Sequence, residues 1–424
     1  PICIGDVTNA GILVDILCQQ VHLQTAPTLI SLLGKAATIF YEWIPGSTGL
    51  CLQHISEVIE YTYRTGVHVW NLHLLSSGAC AALNDGDIKT AIRLLEQIEP
   101  NLPTARKIDI CFYHHIIAVK DLIMGNLISA SEHVQMEVRM HSEINAPFPM
   151  AIGKITMSQI YAAMGKYPEA VMQLALARQI GNWMKSKHIE YMCLLTEAYF
   201  ALELGIKGVD ELHNAETNKH LPFSPTHDEC KESDGESQLF RSPFAKVYGG
   251  YGLEILRKAM TLGREQNFIS CFLWRFDIMP RLCVKALEAG IEVAYVRNLI
   301  RKRNLVPDVP PLEIDDWPWP LRVFTLGQFS LQKDEKPLIS SGKVQKRPLE
   351  MLKALIALGG KDVREEQLND ILWPEAEGDV AHISFETTLH RLRQMVGTVL
   401  AIQCQEGRLS LDPRYWWVVA WSFE

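Results

Sequence analysis

Val380-Ala381-His382-Ile383-Ser384-Phe385-Glu386-Thr387-Thr388-Leu389-His390-Arg391-Leu392-Arg393-Gln394-Met395-Val396 has the spacing of one amphipathic helix, closed by Gly397. Phe385, Leu389, Leu392 and Val396 recur at i, i+4, i+7 and i+11 and so form a stripe that faces a core. At about 100° per residue, Ile383, Thr387, His390, Arg391 and Gln394 fall on the opposite side. That outer side is short of acids and rich in groups that touch base edges or phosphates. An arginine reaches guanine, a glutamine brackets adenine, and a threonine methyl meets that of thymine. Arg393, on the flank, suits a phosphate or an intramolecular partner equally. Glu386 opposes phosphate contact, although a glutamate can accept from cytosine. Any surface helix shows such residues, so this helix alone leaves the two readings balanced.

The flanking sequence tips the balance. On the N-terminal side, residues 346–358 read as an amphipathic helix ended by Gly359 and Gly360, and 364–372 as a second, stopped at Trp373-Pro374. Before them, 321–331 alternate in strand fashion and 336–339 can pair with that strand. On the C-terminal side, 399–405 and 408–411 flank Glu406-Gly407, a hairpin signal, and 415–419 supply a last strand. Strands, three helices and a closing hairpin describe a small α+β winged helix-turn-helix domain over 321–424.

Residues 1–305 have a different grammar, helical throughout. Three segments repeat a pattern of small residue, turn glycine and alanine. The first is Ala79, Ala82, Gly86, Ile88, Ala91 and Leu95. The second is Ala118, Asp121, Gly125, Leu127, Ala130 and Val134; the third is Ser158, Tyr161, Gly165, Tyr167, Ala170, Leu174 and Ala177. Small residues let paired helices approach, and one pair cannot bury its apolar face alone, so the pairs are expected to stack as a solenoid. The pattern resembles the tetratricopeptide repeat, with a longer period than its usual ~34 residues. A fourth unit runs from Ala198 through Gly205, with a poorly matched second helix. Residues 213–243 read as an exposed polar loop. Helices resume near Tyr251, 282–305 form two more around Gly290, and Pro-rich residues 306–320 read as a stiff linker. The fold class expected is mainly α, a solenoid followed by the winged domain.

Composition bounds the function. Of 424 residues, 48% are hydrophobic and 21% charged, and the net charge is −8. From Trp317 onward 13 basic residues face 14 acidic ones, so any attraction for phosphate must come from a local patch. The ten cysteines contain no Cys-x-x-Cys pair, and most lie in apolar helical runs, which fits a reduced cytoplasmic setting. No apolar run is long enough for a membrane span. The chain begins with Pro rather than Met, so a longer parent protein is expected. No Ser/His/Asp, Cys/His or paired-carboxylate arrangement has usable spacing, which argues against an enzyme.

Leu321-Arg322-Val323-Phe324-Thr325-Leu326-Gly327-Gln328-Phe329, Lys346-Arg347-Pro348-Leu349-Glu350, Leu372-Trp373-Pro374, Thr388-Leu389-His390-Arg391-Leu392-Arg393 and Gly407-Arg408-Leu409-Ser410-Leu411-Asp412 occur in that order. Together with Trp421-Ser422-Phe423-Glu424 they resemble the OmpR-type winged helix of antibiotic-regulatory-protein activators. Upstream, Ala286-Leu287-Glu288-Ala289-Gly290-Ile291-Glu292 and Tyr295-Val296-Arg297-Asn298-Leu299-Ile300 resemble the junction in large ATP-dependent (STAND) bacterial activators akin to the maltose-regulon activator. The resemblance implies a transcription activator holding sensor and effector without its ATPase. ATP would then belong to a preceding module, and no phosphate-binding loop occurs here. Two features depart from the pattern: the winged domain comes last, and Val419 and Ala420 stand where an acid is common.

By that analogy Thr387, His390, Arg391 and Gln394 enter the major groove, while Lys343, Lys346, Arg347 and Arg408 hold phosphates, with Arg393 a further DNA-contact candidate on the flank. Double-stranded DNA is the implied partner, with RNA polymerase beyond it and oligomerisation when active. A small molecule or protein is the expected effector of the repeats, with Trp70, His73, His114 and Trp183 as candidate contacts beside Trp43 and His115. For each of these a core or ridge role is the stronger reading. A metal at His114-His115 is disfavoured, because adjacent residues point to different helix faces. Arg297, Arg301, Lys302 and Arg303 read chiefly as a solvated helix end. The alternative function is a repeat scaffold whose terminal domain docks protein.

Overall fold

Gly86, Gly125 and Gly165 take φ of 78°, 80° and 77° in the computed structural model, each turning the chain from one helix into the next. A side chain other than glycine would be strained there, which is why the repeated glycine marks each turn. The structure describes residues 2–4, 6–21, 28–43, 48–205, 245–307, 309, 311–338, 346–376 and 378–423. They divide into two compact units, Pro1–Arg303 and Asn304–Glu424.

The first unit contains α1 (Val7–Val21), α2 (Thr28–Trp43), α3 (Thr48–Thr65), α4 (Asn71–Asn84), α5 (Ile88–Ile98), α6 (Lys107–Met124) and α7 (Leu127–Glu143). It continues with α8 (Pro147–Ala163), α9 (Tyr167–Met184), α10 (Lys187–Tyr199), α11 (Ala245–Glu265), α12 (Met279–Glu288) and α13 (Val293–Arg303). Sequential partners pack as α4 on α5, α6 on α7, α8 on α9 and α10 on α11, while α2, α4, α6, α8 and α10 also touch in succession. The small residues of the three repeats explain this packing. Ala79, Ala82, Ala91, Ala118, Ala130, Ser158, Ala170 and Ala177 are buried where the helices meet, and the Ser158 hydroxyl donates to the Ala170 carbonyl at 2.7 Å. The fourth pair was hard to read because its halves lie far apart in sequence. A π-helical turn, Phe200–Leu204, ends at Gly205, and α11 packs on α10 only after residues 206–244. The expected polar loop at 213–243 lies outside the described residues.

Sequence reading passed over residues 266–278, between α11 and α12. They form turns and irregular chain, yet Phe268, Ile269, Ser270, Cys271, Phe272, Leu273 and Trp274 are all buried. The Asn84 amide of α4 donates to the Cys271 carbonyl at 3.1 Å, and Phe272 stacks edge-on against Phe148 of α8 and His188 of α10. Phe276 lies over Gly86, where an added Cβ would approach its ring to 3.0 Å. This segment therefore packs against α4, α8 and α10. Burying a large apolar side chain contributes about 1.5–3 kcal/mol, so Phe268 and Trp274 make it a substantial part of the core.

The second unit contains β1 (Leu321–Phe324), β2 (Ser330–Lys333), β3 (Lys336–Pro337), α14 (Lys346–Ala357), β4 (Val363–Arg364), α15 (Glu365–Leu372), α16 (Gly378–Val396), β5 (Ile402–Gln405), β6 (Arg408–Leu411) and β7 (Trp416–Val418). One sheet has the order β3-β2-β1-β7, with β7 parallel to β1; the other is β4-β6-β5. The core joins Leu321, Val323, Met351, Leu355, Leu368, Phe385, Leu389, Leu392, Leu409 and Trp416. Residues 321–331 are a hairpin rather than one strand, since Phe324 pairs with Ser330 across the turn at Gly327. Val363-Arg364 is a strand, not the start of a helix, because it pairs with β6. Residues 306–320 are also more than a linker. Trp317 and Trp319 are buried, the Trp417 indole donates to the Leu312 carbonyl, and the stretch belongs to the second unit. Among the described residues no helix is long and apolar enough to cross a membrane.

Candidate nucleic-acid interface

Helix α16 turns the apolar stripe Phe385, Leu389, Leu392 and Val396 into the core, as its spacing predicts. Thr387, His390, Arg391 and Gln394 are consequently exposed together on the outer face. The Gln394 amide nitrogen and the His390 ring lie 3.0 Å apart, one helical turn from each other, so the two side chains orient one another. The Arg391 guanidinium makes no hydrogen bond or ion pair with another described residue, which leaves its five donors free for an external acceptor.

The flanking cations divide into committed and free groups. The Arg393 guanidinium donates twice to the Ile402 carbonyl, at 3.3 and 2.9 Å, and thereby fastens α16 to β5. Of the two roles its position allowed, the structure fills the intramolecular one. Arg347 donates to Glu350 at 3.0 Å and to the Leu372 carbonyl at 3.2 Å, so it braces α14 against α15. Lys346 is exposed and only loosely paired, its amine 3.8 Å from Glu350. Arg408 is exposed on β6 and reaches the Asp362 carbonyl only at 3.5 Å. Lys343 lies outside the described residues.

Two residues escaped sequence reading. Arg364 pairs with Arg408 across β4 and β6 in register, and both are exposed. Like charges facing each other across strands are unfavourable, and an anion between them would relieve that repulsion. No signal marked Arg364, because the strand that carries it is two residues long. Lys333 was missed as well. Its amine occupies the space an added Cβ at Gly397 would take, at the C-terminal end of α16, where a cation complements the helix dipole.

Acidic groups limit the patch. Glu386 and Asp379 are exposed on α16. His382 Nδ1 meets the Glu365 carboxylate at 2.7 Å, and this hydrogen bond and the carboxylate charge raise the His382 pKa above its ordinary 6.5. An NMR titration should find His382 above the ordinary histidine range and bring it down in Glu365→Gln; an unshifted wild-type midpoint would contradict the α15–α16 bridge.

In the helical unit, Trp70 and His73 come together. The His73 ring stacks on Phe40 at 4.9 Å and lies 5.9 Å from Trp70 and 5.3 Å from Phe112. Its Nδ1 is 3.6 Å from Asp109, a carboxylate that Arg106 grips at 2.7 and 3.0 Å. Burial alone would raise the Asp109 pKa, but His73 and Arg106 outweigh it and hold the group ionised. His114 turns elsewhere, its Nδ1 2.9 Å from that of His133, and burial lowers the pKa of both rings. His115 bonds Glu137 instead, at 3.1 Å, so the adjacent histidines do face different neighbours. Trp183 stands exposed on α9, and the side chain of Trp43 is outside the described set. Of the basic helix end, Arg303 is buried: it donates to Asp85 at 2.8 Å and to the Asn84 carbonyl at 3.2 Å, and lies over Trp274. Among the described residues no cluster of three or more His, Cys, Asp or Glu could hold a metal ion. Comparison with known proteins found no matching family model and no matching curated protein.

Proposed function

We propose that the chain is a DNA-binding transcription regulator, an activator on the resemblance of its motifs, whose C-terminal unit is a winged helix-turn-helix and whose tetratricopeptide-like repeats carry a sensor. The observation that supports this most is the face of α16, where Thr387, His390, Arg391 and Gln394 are exposed opposite a buried stripe. Base edges would meet Arg391 and Gln394, while Lys346 and the Arg364–Arg408 pair would take phosphates. The charge of the unit is nearly balanced, so specific binding would require several copies held together.

The reading is tested by gel shift with a dimerised form of the full chain on a selected duplex, across a salt series. Binding should weaken linearly in log[salt]. Arg391→Ala should relax sequence preference, whereas Arg364→Ala should weaken all duplexes alike and flatten the salt slope by about 1. Unchanged preference in Arg391→Ala would remove that residue from base contact.

A second reading rests on Val380 and Ile383, which are 61% and 65% exposed on the same helix. Apolar side chains there would suit docking to a protein, and binding insensitive to salt would favour this alternative.

A further inference from the structure

Gln394 carries a planar amide with one acceptor and two donor hydrogens, and a neighbour one turn earlier on α16 decides which of them face outward. The amide nitrogen lies 3.0 Å from Nε2 of His390, and both side chains are exposed. An amide nitrogen only donates, so the ring nitrogen accepts, and the proton of the neutral imidazole sits on Nδ1. One amide hydrogen is thereby used. The carbonyl oxygen and the second hydrogen keep no partner among the described residues. No cation nearby competes for the amide, because Arg393 is committed to the Ile402 carbonyl and the Arg391 guanidinium makes no bond to Gln394.

What remains free has a definite meaning at a base edge. In the major groove adenine presents an acceptor at N7 and a donor at N6, which one donor and one acceptor bracket. Guanine presents two acceptors, N7 and O6, and has no use for an amide oxygen. A donor at position 390 would draw the amide oxygen toward itself and turn the group over. Two hydrogens would then face outward, and base choice would move from adenine toward guanine.

We propose that His390 is a positioning residue for base choice: its Nε2 acceptor turns the Gln394 amide so that adenine is read at the base pair Gln394 meets. This role rests on the reading of α16 as a DNA-contacting helix, whereas the hydrogen bond itself does not.

The test uses the full chain on selected duplexes that differ only at the base pair whose preference Gln394→Ala abolishes. Within each variant the ratio of adenine to guanine binding cancels general effects of charge. His390→Glu keeps an acceptor at the position and His390→Lys replaces it by a donor, and both residues are good helix formers. Adenine should stay favoured in wild type and His390→Glu. In His390→Lys the ratio should fall by about 2- to 10-fold, the weight of one hydrogen bond. In the Gln394→Ala background the lysine should change nothing; a change there would show the lysine reading the base itself and overturn the relay. An equal ratio in all three proteins, or a Gln394→Ala protein with every preference intact, would overturn it as well. In the free protein, nitrogen chemical shifts of the His390 ring at about pH 8 should show a larger share of the Nδ1–H form in wild type than in Gln394→Ala. Equal shares would remove the hydrogen bond on which the role depends. A larger share in a protein without salt-dependent DNA binding would instead overturn the DNA reading, and base choice with it, while leaving the pair intact.

Discussion

Phe385→Ala is expected to destabilise the C-terminal unit by about 3–5 kcal/mol, the range for removing a buried aromatic ring from a well-packed core. Phe385 is fully buried in the cluster that also holds Leu355, Leu368, Leu389 and Trp416. It therefore shares one core with residues of both sheets and of all three helices. A domain of this size has roughly 5–15 kcal/mol in total, so the loss is a large fraction. Urea titration followed by hydrogen exchange at amides of β1, β6 and α16 isolates this unit from the helical one. The informative control is Arg391→Ala on the same helix. Exposed and unpaired, it should change stability by no more than about 0.5 kcal/mol. If sequence preference is lost in both variants but stability only in Phe385→Ala, the two sides of α16 have separate duties. A loss under 1 kcal/mol for Phe385→Ala would contradict the burial on which the outer face depends.

The helix that displays the candidate interface was legible because one stripe of four apolar residues fixes which side is out. The paired helices were legible for a similar reason: glycine with positive φ and small residues at helix contacts are local demands written at fixed spacing. What escaped was non-local. Val363-Arg364 is a strand only because β6 lies beside it, and two residues carry no periodicity. Arg393 offered two equal roles until β5 placed the Ile402 carbonyl within reach. Residues 268–274 are mostly apolar yet lack helical or strand spacing, so their sequence shows burial without showing against what. Trp317 and Trp319 hid in a run of prolines that otherwise signals an exposed spacer.

The second large effect belongs to His188, whose surroundings are Phe148, Phe268 and Phe272. Burial depresses its pKa from 6.5 to about 3. A histidine with a depressed folded pKa stabilises the fold above its ordinary pKa, and that stability is lost as the pH falls. The unfolded chain takes up the proton first, in the window from 6.5 down to about 3. The loss should approach 1.4 kcal/mol per pH unit below 6.5, to which His114 and His133, also depressed by burial, add in the same direction. His188→Met keeps the volume without the proton or the two unpartnered nitrogens. It should match or exceed wild-type stability at pH 7.5 and lose a large part of the slope between about pH 6 and 5 in urea titrations of the full chain. An acid response identical in the two proteins would assign the pH dependence to groups other than His188.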